Sequence, residues 1–292
     1  MEIFLTTIFT QHYNATIVIL ATFILGLSSG AVGTFLVLRK QSLISDAITH
    51  ATLPGIALGF ILSLSLDLND GKYMPLLLAC SAATAYLGAL SVQFLTNHTR
   101  LPPDAAIATT MSFFYGLGLL LLSIIQNIPS GNKAGLGTFL LGQVAGLTHN
   151  DLILITAISL IVIILVLIQF KELRLLCFDR AYASLIGMNV NRTENLLLIL
   201  VIMIICAGLK TVGLIMIIAL LIIPPITARL WTSRTTYMVL LSSLIGGVSA
   251  ITGVYVSSDI YDLPTGSTIV LSAFTIFIIS ILITAIRRKM HV

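Results

Sequence analysis

Nine runs of about 20 mostly apolar residues, each long enough to cross a bilayer as one helix, limit this chain to a narrow set of folds. They fall near 15–38, 43–65, 73–95, 105–126, 151–170, 194–210, 212–231, 237–257 and 266–286. Between 194 and 231 only Gly208, Lys210 and Gly213 interrupt the pattern, so one long broken helix, and eight spans, is the competing count. Charged residues make up 9% of the chain, against about 25% in an ordinary soluble domain. A surface so poor in charge needs lipid as its solvent. The expected fold class is an all-α integral membrane protein, a polytopic bundle of eight to nine transmembrane helices. The formal net charge of +4 is small and scattered, which excludes a nucleic-acid partner.

The positive residues sit at Arg39-Lys40, Arg100, Lys171/Arg174/Arg180, Arg192, Arg229/Arg234 and Arg287-Arg288-Lys289. The loops between carry Asp67, Asp70 and Lys72, then Lys133, then Asp259 and Asp262. With nine spans the two sets alternate strictly between sides, which puts the N-terminus outside and the C-terminus in the cytoplasm. Eight spans would strand one positive cluster on the wrong side. The N-terminus lacks the basic region of a secretory leader, so the first apolar run reads as a retained span. Cys80, Cys177 and Cys206 are odd in number and form no C-x-x-C pair; they read as two apolar helix residues and a cytoplasmic thiol.

Two stretches outside the spans are long enough to have roles. An external loop, 127–150, contains the turn signal Pro129-Ser130-Gly131-Asn132 and a semi-apolar run. A cytoplasmic stretch, 171–192, spaces Leu175, Phe178, Tyr182, Leu185 and Ile186 along one face of a short surface helix. Gly26-x-x-x-Gly30 and Gly55-x-x-x-Gly59 put small residues on one face of the first and second spans, the pattern of close helix packing in lipid.

The chemistry concentrates in the second span. Asp46 and His50 are four apart and share a helix face about one turn apart. Ionisable groups within a membrane segment are costly and usually functional. A carboxylate oxygen with an imidazole nitrogen suits Mn²⁺, Fe²⁺ or Zn²⁺. Hydration near the interface is the competing reading, because Arg39-Lys40 lies only about two turns away. Two ligands hold an ion poorly, and a two-fold related second copy would supply another Asp and His. His12, His98, His149 and His291 read as solvated end or loop residues. There is no H-E-x-x-H, no G-x-S-x-G and no P-loop; Gly208-Leu-Lys210-Thr211 lacks the glycine before the lysine. An ATP-driven process would need its motor on another polypeptide.

Ser42-x-x-Ser45-Asp46-x-x-x-His50-Ala-x-Leu53-Pro54-Gly55-x-Ala57-x-Gly59 resembles the signature of the ABC-3 permeases, membrane subunits of bacterial manganese, zinc and iron(II) importers. Phe178-Asp179-x-x-x-Ala183-x-x-x-Gly187 is similar to that family's coupling segment, and Gly213 to Ala228, through Ala219-Leu220-Leu221-Ile222 and Pro224, to a third motif. Gly135-Leu-x-x-Phe139-Leu-x-Gly142-Gln143 resembles the manganese/iron branch more than the zinc branch. The matches span most of the chain in order.

The resemblance implies a single transmembrane permease domain over 1–292, related in fold to the vitamin B12-type importer permeases, in the bacterial inner membrane. It implies a dimer with a second copy or a paralogue, two cytoplasmic ATPases, and an external metal-binding receptor. By position it makes Asp46 and His50 the metal contacts. Phe178, Asp179, Ala183 and Gly187 become the ATPase-coupling residues. The metal is cargo, and no cofactor is held permanently. The chain itself is then not an enzyme. A permease for a chelated metal, siderophore or cobalamin competes, but would call for a wide aromatic cavity. An intramembrane metalloenzyme on Asp46 and His50 is more remote, for want of a third ligand.

Overall fold

A computed structural model describes residues 13–66, 73–127, 147–209, 213–259 and 263–290. These residues are helical with short connections, and they contain no strand. The helices are α1 (Tyr13–Leu38), α2 (Ile44–Ser65), α3 (Met74–His98), α4 (Pro103–Asn127), α5 (His149–Ile168), α6 (Phe170–Phe178), α7 (Arg180–Leu185), α8 (Val190–Leu209), α9 (Leu214–Trp231), α10 (Thr235–Asp259) and α11 (Thr265–Met290). Among the described residues nine of them, all but α6 and α7, are long and apolar enough to cross a membrane. α8 ends at Leu209 and α9 is a separate helix, opening at Gly213, whose φ of 83° an L side chain would resist. Most of the expected external loop, 128–146 with its Gly135–Gln143 motif, lies outside the described residues, as do His12, His291, Lys210 and Asp262.

The core is built around α1, α2 and α8, whose apolar residues are mostly buried, while α4, α5 and α11 turn large apolar side chains outward. Such outward faces are what a lipid solvent requires. Small residues set the crossings. Gly26 backs onto Gly246, and a methyl there would stand 2.5 Å from the Gly246 carbonyl oxygen. One turn on, the Ser242 hydroxyl donates to the Gly30 carbonyl at 2.7 Å. Gly33 lies against the Leu221 carbonyl of α9, the group that Pro225, lacking an N–H, cannot serve. Gly55 and Gly59 of α2 rest on Cys80 and Leu77 of α3. Buried hydroxyls such as Thr22, Thr34 and Thr49 donate to their own helix four residues back, so these three are paired inside the apolar bundle.

These contacts also fix direction. Gly26 with Gly246 and Gly30 with Ser242 make α1 and α10 antiparallel. Gly253 against Ile269, with the Ser257 hydroxyl bonded to Leu263 and Thr265, does the same for α10 and α11. The C-terminal end of α1, the N-terminal end of α10 and the C-terminal end of α11 therefore lie together. A cavity of about 330 Å³ adds the start of α4, the end of α3, and α7 to that same end, lined by Arg39, Lys40, Asn97, Asp104, Arg180 and Glu194. The described lysines and arginines thus gather at one end of the bundle.

The stretch 171–192 is two helices rather than one. α6 continues from α5 through Gln169, and the chain then turns at Asp179, whose carboxylate accepts from the Tyr182 N–H at 2.8 Å and caps α7.

Candidate metal-translocation site

Asp46 lies in the first turn of α2 and His50 one turn further. Helical spacing brings His50 Nε2 to 3.3 Å from Asp46 Oδ1, and both side chains are partly exposed, at 25% and 33%. His50 Nδ1 is buried and has no hydrogen-bond partner, while the ring meets Tyr115 of α4 edge-on at 5.1 Å. The imidazole thus touches both an aromatic ring of α4 and the carboxylate of its own helix. The Ser45 and Thr49 hydroxyls donate back along the chain, to the Ser42 and Ser45 carbonyls. α2 continues through Pro54, which has no N–H to offer the His50 carbonyl.

No group of three or more His, Cys, Asp or Glu side chains gathers among the described residues. His98 stacks on Phe94 and bonds its carbonyl, and His149 is exposed at the start of α5. Asp46 and His50 therefore stand as a two-donor face within one chain.

The other sequence-marked residues lie at the basic end. Phe178, Tyr182, Leu185 and Ile186 are exposed, Leu185 at 83%, whereas Ala183 is fully buried and anchors α7. Gly187 has φ 83°, and the Met188 N–H reaches back to the Ala183 carbonyl, so the glycine closes α7 in the left-handed conformation. The segment is held to the bundle by Phe170 packed edge-on against Phe35 and by Cys177 Sγ donating to the Phe35 carbonyl at 3.7 Å. Sequence reading passed over Glu194, which pairs with Arg39 and, at 3.2 Å, with Arg180. Its signal was its position, an acid at the boundary of an apolar run. Tyr115, on another helix, carried no signal at all.

The family model for the ABC 3 transport family matches residues 11–284. The chain belongs to that family. Among its relatives, the manganese transport system membrane protein MntC of Bacillus subtilis is 39% identical over 93% of this chain, which spans 61% of that longer protein. The zinc transport system membrane protein TroC of Treponema pallidum is 38% identical over 94% of this chain and 90% of its own length. Among solved structures, PsaBC from Streptococcus pneumoniae in complex with Fab superposes with a TM-score of 0.81 at 28% identity, covering 96% of this chain and 95% of that one. A metal-chelate type ABC transporter shares the fold, with a TM-score of 0.63 at 17% identity over 91% and 84% of the two chains. The all-α, multi-pass fold class and the family read from the sequence both hold.

Proposed function

We propose that this chain is the membrane-spanning subunit of an ATP-driven importer for a divalent transition-metal ion, Mn²⁺ or Fe²⁺ ahead of Zn²⁺. The observation that carries this reading is the 3.3 Å separation of the Asp46 carboxylate and His50 imidazole on α2 of an ABC 3 family member. Metal–nitrogen and metal–oxygen bonds of about 2.0–2.2 Å place two adjacent ligands roughly 3 Å apart. The pair can therefore close on one ion with little rearrangement. Two donors bind weakly, and a second permease copy or paralogue across a two-fold axis brings the set to four. Weak, shared ligation suits cargo, which must leave again. The relatives' names, manganese for one and zinc for another, support a divalent metal, and the family resemblance favours manganese or iron.

The basic end faces the cytoplasm by the positive-inside rule, which puts the N-terminus outside. There the exposed Phe178, Tyr182, Leu185 and Ile186 offer an apolar surface on α6 and α7 to one of two separate ATPase subunits. Residues 1–292 act as one transmembrane permease domain, and the external loop meets a metal-loaded receptor. ATP binding draws the ATPases together, the coupling segment moves with them, and the bundle alternates its access. The ion shifts that equilibrium only by its differential affinity for the two states.

The test is radiolabelled uptake in cells stripped of their own manganese importers and supplied with the complete system. Mn²⁺ or Fe²⁺ should accumulate in an ATP-dependent manner and compete with each other. Uptake of a ferric chelate or cobalamin instead would overturn the reading.

A further inference from the structure

We propose that Glu194 is a positioning residue: its carboxylate latches the ATPase-facing helix α7 to the turn that launches α2, so that ATP-driven motion reaches Asp46 and His50. This rests on the reading of the chain as the permease of an ATP-driven importer. Glu194, in the second turn of α8, pairs with Arg39 through one oxygen and with Arg180 through the other, at 3.2 Å. The Glu194 and Arg39 side chains are each 12% exposed, so water screens their attraction little, whereas Arg180 is 60% exposed and projects from α7. Arg39 lies just past the end of α1. Lys40 follows in the left-handed region, at φ 57°. That turn is closed by its own backbone hydrogen bonds, from the Lys40 N–H to the Val37 carbonyl and from the Gln41 N–H to the Leu36 carbonyl, and so ties Arg39 to the start of α2. Three residues after Gln41 α2 begins, and Asp46 sits in its first turn.

The path is short and made of defined parts: α7, Arg180, Glu194, Arg39, a hydrogen-bonded turn, Asp46. Its other connections to α1, the Phe35–Phe170 ring contact and the weak Cys177 thiol bond, attach α6 rather than α7. The two guanidiniums would repel without the carboxylate between them. Losing Glu194 therefore removes the ionic link between α7 and the turn, and leaves α7 held only through Ala183, packed with Leu176 of α6 and Val190 of α8.

The experiment uses the assembled importer in proteoliposomes, with ATP hydrolysis and metal uptake measured on the same preparation. An environment-sensitive fluorophore on Leu43→Cys reports movement of the α2 start on ATP binding. In Glu194→Gln and Arg180→Gln, hydrolysis should stay within about two-fold of wild type while ions imported per ATP fall tenfold or more, and the ATP-dependent fluorescence change should disappear. Arg180 is exposed, so its variant keeps the test valid should Glu194→Gln fail to fold. Arg100→Gln, which removes a positive charge at the same end outside the latch, should behave as wild type. An unchanged ratio with an intact fluorescence response, or hydrolysis and uptake falling in proportion, would refute the latch. If the wild-type importer moves none of the three ions, the cargo reading fails, and the fluorescence response still judges the latch.

Discussion

At the residue scale, solvent access separates groups that look equivalent in sequence. Cys177 sits beneath α1 with its thiol pointed at the Phe35 carbonyl, and burial pushes its pKa up to about 11, against the opposing pull of the Arg39 guanidinium. An ordinary thiol near 8.5 is roughly a quarter thiolate at pH 8, and one near 11 roughly a thousandth. A permeant maleimide should therefore label Cys177 slowly at pH 8, and the rate should still climb between pH 9 and 10.5. A rate that levels off by pH 9 would show an accessible, unperturbed thiol. Asp46 and His50 were legible because their pairing is local, four residues apart on one helix. Glu194 was not, because Arg39 lies 155 positions away and only the fold joins them.

At the element scale, backbone contact decides which glycines matter. Gly26 meets the Gly246 carbonyl, so Gly26→Ala forces α1 and α10 apart; a loss of about 1–3 kcal/mol is expected as a lower melting temperature in detergent. Gly116 has no neighbour within 4 Å where a methyl would stand, and Gly116→Ala should be neutral or gain up to about 1 kcal/mol. Equal effects at both sites would refute this role for packing. Asp179→Ala removes the cap of α7 and should cost about 1 kcal/mol of local stability, read as faster amide exchange over residues 180–185 with the spans unaffected. The apolar runs gave the spans because lipid demands about 20 residues of them. Their ends were harder. α8 starts at Val190, four residues before its apolar run, because the Asn189 side chain accepts from the Arg192 N–H. The division of 171–192 into α6 and α7 rests on Asp179 leaving the helical conformation to cap α7, which a pattern of apolar spacing does not register.

At the scale of the whole molecule, the gathering of basic residues at one end predicts topology. Single cysteines introduced at Ser184 and Arg234 should resist an impermeant maleimide in intact cells and react after permeabilisation. Labelling at either without permeabilisation would invert the bundle. The proposed function has Asp46 and His50 carry the ion between the two faces. The direct measurement is uptake by the complete importer carrying Asp46→Ala or His50→Ala, with membrane expression and ATPase assembly verified. Both variants are predicted to lose at least tenfold in uptake of the transported ion while still assembling. Normal uptake by both would mean that the pair is interface structure and that the ion crosses elsewhere.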